Sequence, residues 1–315
     1  MDIPVVTKTN ELAPVVLFVF NRPEHTRRTL ESLLDNELSE QTSLVIYSDG
    51  ARSDKDIPKV EAVRDYIRNV EGFRDVRIVE QEVNRGLAKS VIAGVTEVIN
   101  SYGRIIVLED DMETSPFFLD YMNRSLEKYR ANDNVYCVHG YAFPADMSDV
   151  CSETFFLRGA ECWGWATWKR AWDQFCPDAG QLFGLLRSKG MEKSFDYDGK
   201  YAYMRMLKRQ SHGRIDSWAI RWRASAFVNE GLTLWPRVSL VRNFGMDGSG
   251  VHCDATSYFD VALADRPVSL ADIPIKVNSA AFHAYGQYLK RREGNLMQRV
   301  GRFIRKRVIN VVSDR

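Results

Sequence analysis

Nothing in the sequence approaches ~18 uninterrupted apolar residues, so no membrane-crossing helix is expected. Met1 to Glu11 carry acids and polar groups, without the basic-then-apolar order of a secretory signal. A cytosolic setting follows as an expectation. Cysteine is scarce: Cys137, Cys151, Cys162, Cys176 and Cys253 make an odd set with no C-x-x-C spacing. That excludes a disulfide framework and a cysteine zinc cluster, and reads as reduced thiols. Pro- or Gly-rich tracts, internal repeats and low-complexity linkers are also lacking. The 315 residues therefore fit one large α/β domain or two halves sharing a core.

What charge there is lies unevenly. Net charge is +1, yet Lys290 to Arg315 hold nine basic and two acidic residues, leaving the rest of the chain at −6. A basic tail on an acidic body suits an anionic surface and not nucleic acid in general. In that tail Leu296, Val300, Phe303, Ile304, Val308 and Val311 recur at helical spacing among arginines. The pattern is a basic amphipathic helix. It would lie on an anionic membrane, dock on its own domain, or meet a partner copy.

Strand and helix patterns alternate through the first half. Val15–Phe20, Leu44–Tyr47, Val76–Glu80 and Arg104–Leu108 read as strands, with helices over Thr26–Leu34, Pro58–Val70 and Leu87–Asn100. This rhythm predicts a parallel sheet covered by helices, with ligands beyond the carboxyl ends of its strands. Three strands end in chemically able residues: Arg22, Asp49, and the triplet Glu109-Asp110-Asp111. All seven tryptophans fall between Trp163 and Trp235, and the alternation is lost there. The expected division is a regular, ligand-binding half over 1–140, an irregular half of the same domain over 141–288, and the tail over 289–315.

Three adjacent carboxylates at the tip of a buried strand are costly unless a positive charge compensates. A divalent cation would do so, and hard oxygen ligands suit Mn²⁺ or Mg²⁺. Asp111 is the expected direct ligand, with Glu109 and Asp110 shaping the site. Asp49, in Ser-Asp-Gly, could accept from a base N–H or simply hold a turn. Arg22 could contact base or phosphate. Asn84-Arg85-Gly86-Leu87-Ala88-Lys89 opens a helix whose N–H groups attract phosphate, with Arg85 or Lys89 adding charge.

In the second half Asp216 is the candidate base that takes a proton from an acceptor hydroxyl, or else a helix N-cap. Glu161 is the second candidate. Trp165, Trp168 and Trp172 share helical spacing, which suits a core; Trp163 and Trp165 are the expected members of a sugar platform. The stretch Asn243 to His252 has three glycines in six positions and suits a closing lid, with His252 as a further metal or diphosphate contact.

With these residues in place the chain resembles glycosyltransferases of the GT-A type in the family 2 style. The carriers are strand–Asn-Arg-Pro, strand–Ser-Asp-Gly, Asn-Arg-Gly-Leu-Ala-Lys-Ser and Val-Leu-Glu-Asp-Asp. More narrowly, Glu109-Asp110-Asp111 followed by Pro116-Phe117-Phe118-Leu119-Asp120-Tyr121 is similar to the N-acetylglucosaminyltransferases of family 13. The similarity continues at Gly164-Trp165, at Asp216-Ser217-Trp218 and over Phe244 to His252, roughly residues 13 to 255 in all. It implies a GT-A fold, meaning a Rossmann-like mixed sheet flanked by helices with an irregular acceptor side. The implied reaction inverts the anomeric centre, with Asp111 on the metal, Asp49 and Arg22 on the nucleotide, and Asp216 as base. Ser217 stands where that family has a second acid, and its Golgi members' anchor helix has no counterpart. A bacterial enzyme of surface-polysaccharide synthesis, peripheral at the cytoplasmic membrane's inner face, is the expectation. Its donor would be a nucleotide diphosphate sugar, UDP favoured, and its acceptor a glycan or lipid-linked glycan. Two rivals stand beside it. A sugar nucleotidyltransferase would carry a glycine-rich loop after the first strand, where Asn21-Arg22-Pro23-Glu24 has none. A non-catalytic carbohydrate-binding protein would not need Glu109, Asp110, Asp111 and Asp216 intact.

Overall fold

The computed structural model describes residues 11–248 and 256–291. The first half alternates as the sequence implies: β1 (Val15–Val19), α1 (Pro23–Leu34), β2 (Ser43–Ser48), α2 (Ile57–Ile67), β3 (Asp75–Glu80), α3 (Leu87–Tyr102) and β4 (Arg104–Glu109). Then follow β5 (Met112–Thr114), α4 (Phe118–Lys128) and β6 (Val135–His139). The second half holds β7 (Thr154–Arg158), β8 (Trp165–Trp168), α5 (Lys169–Trp172), α6 (Ala179–Ser188), α7 (Glu192–Phe195), α8 (Tyr203–Ser211), α9 (Trp218–Val228), β9 (Leu232–Pro236) and β10 (Val241–Asn243). Residues 279–291 are helical.

Eight strands form one mixed sheet in the order β3-β2-β1-β4-β8-β6-β9-β7, and β10 pairs with β5 beside it. β1 to β4 run parallel, whereas β8 lies antiparallel to both β4 and β6. Strands from the irregular half thus continue the sheet of the regular half. The expected architecture, a Rossmann-like mixed sheet between helices, is the one found.

Period-two alternation explains the unbroken apolar runs. Val15, Leu17 and Val19 join Leu30, Leu33 and Ile67 in one core, beneath α1 and α2. Val16 and Phe18 face the other way, into Val91, Val95 and Trp222 of α3 and α9. The same alternation puts Ile106 and Leu108 in the first core and Ile105 and Val107 in the second. A strand sandwiched this way has no polar face to show.

Register brings the strand ends together. Val19 pairs with Ser48, and Phe18 with Glu109, so the segments following β1, β2 and β4 leave the sheet side by side. The Asp49 N–H donates to the Val19 carbonyl at 3.1 Å, extending the pairing one residue past β2.

Candidate active site

The triplet is built by the turn between β4 and β5. Thr29, wholly buried on α1, donates its hydroxyl to the Asp110 carbonyl at 2.8 Å and accepts the Met112 N–H at 3.2 Å. That one hydroxyl clamps the turn. Three alternating side chains then diverge. Glu109 continues the face of Ile105 and Val107 and accepts a hydrogen bond from the Trp218 side chain at the start of α9. Asp110 is buried and meets Arg22. Asp111 lies between Arg22 and the Gly245 backbone.

Arg22 holds the pair of aspartates together. Its Nε donates to Asp110 Oδ2 at 3.2 Å, and its Nη2 donates to both Asp110 Oδ1 and, at 3.0 Å, Asp111 Oδ2. The charge that compensates the triplet here is therefore a guanidinium from the neighbouring strand end. Even so, burial pushes Asp110 up to about 6, against the opposing pull of Arg22. Burial, then the charges of Asp111 and Asp110, push Glu109 up to about 8.

One oxygen escapes this pairing. Asp111 Oδ1 is buried with no hydrogen-bond partner among the described residues. An orphaned carboxylate oxygen beside two other acids fits a divalent cation, which prefers hard oxygen donors. No group of three or more His, Cys, Asp or Glu suited to a metal occurs among the described residues. The described residues would supply a minority of such an ion's ligands. His252 lies outside the described residues.

Asp49 serves its own loop. Its Oδ1 accepts the N–H groups of Gly50 (3.0 Å) and Arg85 (2.8 Å); its Oδ2 accepts Gly86 N–H (2.9 Å) and Asn84 Nδ2 (3.0 Å). Four bonds fill the carboxylate's lone-pair positions and pin the residues that start α3. Gly50 permits this closeness: a β-carbon there would lie 2.9 Å from Asn84 N. A base N–H would have to displace one of those four donors. Arg85 and Lys89 are exposed, and none of the described residues pairs with either side chain.

Asp216 precedes α9, whose N-cap is Ser217; the Ser217 side chain accepts from Ile220 N–H at 3.3 Å. The capping alternative for Asp216 therefore falls to its neighbour. Asp216 is 62% exposed and pairs with Arg221 at 3.1 Å, two residues before the tryptophan that holds Glu109. Glu161 is different: its carboxylate is committed to the buried guanidinium of Arg223. Burial raises its pKa while Arg223 opposes the rise.

Trp165 requires a correction. It is fully buried on β8, stacked against Trp218 with ring centroids 5.4 Å apart and flanked by Trp172 and Trp222. No face is left for a sugar. Trp165 and Trp168 are strand residues and Trp172 is helical, so their helical spacing was accidental, although all three are core. Trp163 keeps a partly exposed position, edge-on to Tyr141 and Phe259.

Sequence reasoning missed several neighbours. His25, one turn into α1 from Arg22, pairs with Asp247 at 3.2 Å and stacks on Phe244. Its position three residues after Arg22 on a helix was the available signal. Thr29 and Arg223 carried none, because each acts through a contact distant in sequence.

Residues 15–146 match the model of glycosyl transferase family 2. Over that stretch the chain is similar to glycosyltransferases of this family. The matched stretch contains Arg22, Asp49 and the triplet, so the family likeness and the convergence of strand ends concern the same residues. Among solved structures, the mannosyltransferase PcManGT from Pyrobaculum calidifontis, in complex with GDP-Man and Mn²⁺, is similar at 12% identity and a TM-score of 0.39. That likeness covers 72% of this chain and 71% of the other. TarS of S. aureus is similar at 13% identity and a TM-score of 0.30, over 41% of this chain. The chain spans only 22% of TarS. No curated protein matches the sequence.

Proposed function

We propose that the chain is an inverting, divalent-metal-dependent glycosyltransferase. It moves a hexosyl or N-acetylhexosaminyl group from a nucleotide diphosphate sugar, UDP favoured, to a hydroxyl of a glycan or lipid-linked glycan. The observation that carries this reading is the orphaned Asp111 oxygen, set among three strand ends that bear Arg22, Asp49 and two further acids.

The chain's residues divide the work by position. Asp49 fixes the start of α3, whose N–H groups and nearby Arg85 and Lys89 suit a phosphate. Asp111 would hold Mn²⁺ or Mg²⁺ through its free oxygen, with Glu109 and Asp110 setting the field around it. Such an ion, when bound, neutralises charge on the departing diphosphate. Arg22, released from the aspartates, is placed to take up a donor oxygen. Asp216, exposed at the head of α9, accepts the proton of the acceptor hydroxyl as that oxygen bonds to C1 and the C1–O bond to the diphosphate breaks. Attack from the face opposite the leaving group inverts the centre. Glu161 is the poorer base, because Arg223 already holds it.

The narrower likeness to family 13 belongs to this proposal, as do a role in bacterial surface-polysaccharide synthesis and peripheral attachment to the inner face of the cytoplasmic membrane. No helix among the described residues is long and apolar enough to cross a membrane. Most of the basic tail expected to bind such a surface, residues 292–315, lies outside the described residues. The test is calorimetry with UDP-, GDP- and dTDP-sugars, with and without Mn²⁺. Metal-dependent binding that Asp111→Ala abolishes supports the reading; metal-independent or absent binding of all three classes defeats it.

A further inference from the structure

Helix α8 carries a row of cations with no part in the proposed chemistry. Arg205, Lys208, Arg209 and His212 fall at i, i+3, i+4 and i+7, and all four are exposed. The opposite face explains why the helix lies this way up: Leu207 is wholly buried with Leu182 and Leu186 of α6 and Ile220 of α9. Residues 187–214 hold eight basic and three acidic residues, on a body whose net charge up to Leu289 is −6. The positive charge is therefore concentrated locally.

Such a row costs stability, because like charges three or four positions apart on a helix repel. Arg205 stands so to both Lys208 and Arg209. Lys208 and Arg209 lie in the last turn, where the helix dipole favours cations. The dipole does not account for Arg205 in mid-helix, nor for Lys193 and Arg214 outside α8. Acids nearby do not account for the row either. The side chains of Lys193, Lys208, Arg209 and Arg214 make no ion pair or hydrogen bond among the described residues.

Two features give the row a direction. At one end an open groove of about 390 Å³ between α6, α7 and α8 takes Arg187, Lys193, Arg205 and Lys208 into its walls, with Glu192 and Asp196 as its acids. Glu192 answers Arg187 at 3.7 Å, and Asp196 accepts the Met204 N–H at 2.7 Å. At the other end the chain turns back on α8. The Arg214 N–H donates to the Arg209 carbonyl at 2.9 Å, and the Gln210 side chain accepts the Ser217 N–H at 2.6 Å. The row thus runs from the groove to the segment that carries Asp216.

The occupant must be anionic and extended. A lipid surface is the poorer match, because the exposed face of α8 has no apolar side chain to enter it. We propose that this face is a docking track for an acidic glycan, a chain bearing carboxylates or phosphodiesters, which is the acceptor and brings its terminal hydroxyl to Asp216. The inference deepens the glycosyltransferase reading and rests on it for calling that chain the acceptor. Walls of one sign raise the local concentration of such a chain at the head of α9.

The double variant Lys208→Gln, Arg209→Gln leaves the triplet and Asp216 in place. The full chain and this variant are compared by low-salt calorimetry with hexagalacturonate, a hexamer of glycerol phosphodiesters and neutral maltohexaose. Vesicles of equal parts phosphatidylcholine and phosphatidylserine, and UDP, GDP and dTDP with Mn²⁺, complete the set. The variant is expected to bind at least one acidic hexamer about tenfold more weakly, the worth of two exposed ion pairs, with maltohexaose and the nucleotides unchanged. Salt at about 1 M should erase the difference, since charges are then screened within about 3 Å. Loss on hexagalacturonate alone assigns carboxylates to the acceptor; loss on the phosphodiester alone assigns phosphates. Equal affinity of both proteins for both acidic hexamers overturns the track, and so does an equal loss on maltohexaose. Vesicles that bind the wild type and not the variant, with neither hexamer binding, also overturn it and give the surface to lipid. Should the wild-type chain bind no nucleoside diphosphate, the enzyme reading fails, while a hexamer difference would still uphold the anion-binding face without its acceptor role. Arg214→Gln repeats the comparison if the double variant does not fold.

Discussion

Gly245 packs directly on the carboxylate of Asp111: a β-carbon at that glycine would lie 2.7 Å from Asp111 Cγ. The neighbouring Phe244 N–H donates to the Asp111 carbonyl at 3.0 Å, so the segment after β10 is tied to the triplet by backbone as well as by contact. The side chain of Asp111 is aimed by this segment and by Arg22, not by the β4–β5 turn alone.

Gly245→Ala should accordingly misdirect Asp111 without removing any chemical group. Turnover is expected to fall by roughly 10²-fold, the cost of about an ångström of misplacement. Metal-dependent donor binding should weaken in parallel, and circular dichroism should be unchanged. Wild-type turnover in that variant would show that Asp111 need not stand where it does.

Arg22→Gln should leave Asp110 and Asp111 buried beside each other with no counter-charge. A loss of about 2–3 kcal/mol is expected from urea unfolding in EDTA. If a cation takes over the guanidinium's role, Mn²⁺ with a nucleoside diphosphate should narrow the gap between variant and wild type. A gap that does not respond to the metal would confine Arg22 to structure.

For Asp49→Ala the expected result is a combined defect. Gly50, Arg85 and Gly86 each lose an acceptor for their N–H groups. Stability should fall by about 2–3 kcal/mol and nucleotide affinity with it. A drop in affinity at unchanged stability would instead assign the carboxylate to the base alone.

Asp216→Ala ought to keep both fold and donor affinity, since the side chain is 62% exposed and its partner among the described residues is Arg221. Turnover should drop at least ~10²-fold, the lower range for a general base. Pre-steady-state measurement of the chemical step separates this from slower product release. Unchanged chemistry would pass the role to another group.

His139 sets a pH dependence. Its folded pKa, about 3, lies below the ordinary 6.5, so the unfolded chain takes up a proton that the folded chain refuses. Its contribution to stability is present in full above about 6.5 and is lost as pH falls through about 3. Between pH 7 and 5 the loss should reach about 2 kcal/mol. His139→Phe should flatten that part of the urea-unfolding profile. Parallel profiles for the two proteins would show that the ring accepts its proton inside the fold.

Much of this was legible in residue order. The runs Val15–Val19 and Ile105–Leu108 are apolar at every position because helices cover both faces, and the structure divides their residues alternately between two cores. Placement of Arg22, Asp49 and the triplet at strand ends followed from a parallel sheet. Trp165 shows the opposite case. A tryptophan's spacing says nothing about whether its ring meets solvent or other rings, and here Trp172, Trp218 and Trp222 surround it.

Local patterning, which depends on neighbours a few residues away, was thus enough to determine the β–α rhythm, the sheet's parallel part and the three chemically able strand ends. Charge partnership was not: Arg22 and Asp110 stand 88 positions apart, and Glu161 and Arg223 are 62 apart. Only the tertiary structure decided that the triplet's counter-charge is an arginine, that Asp49 grips its own loop, and that His139 is buried as a neutral ring. Such pairings depend on which strand ends and helices meet, and that geometry is set by packing of the whole sheet.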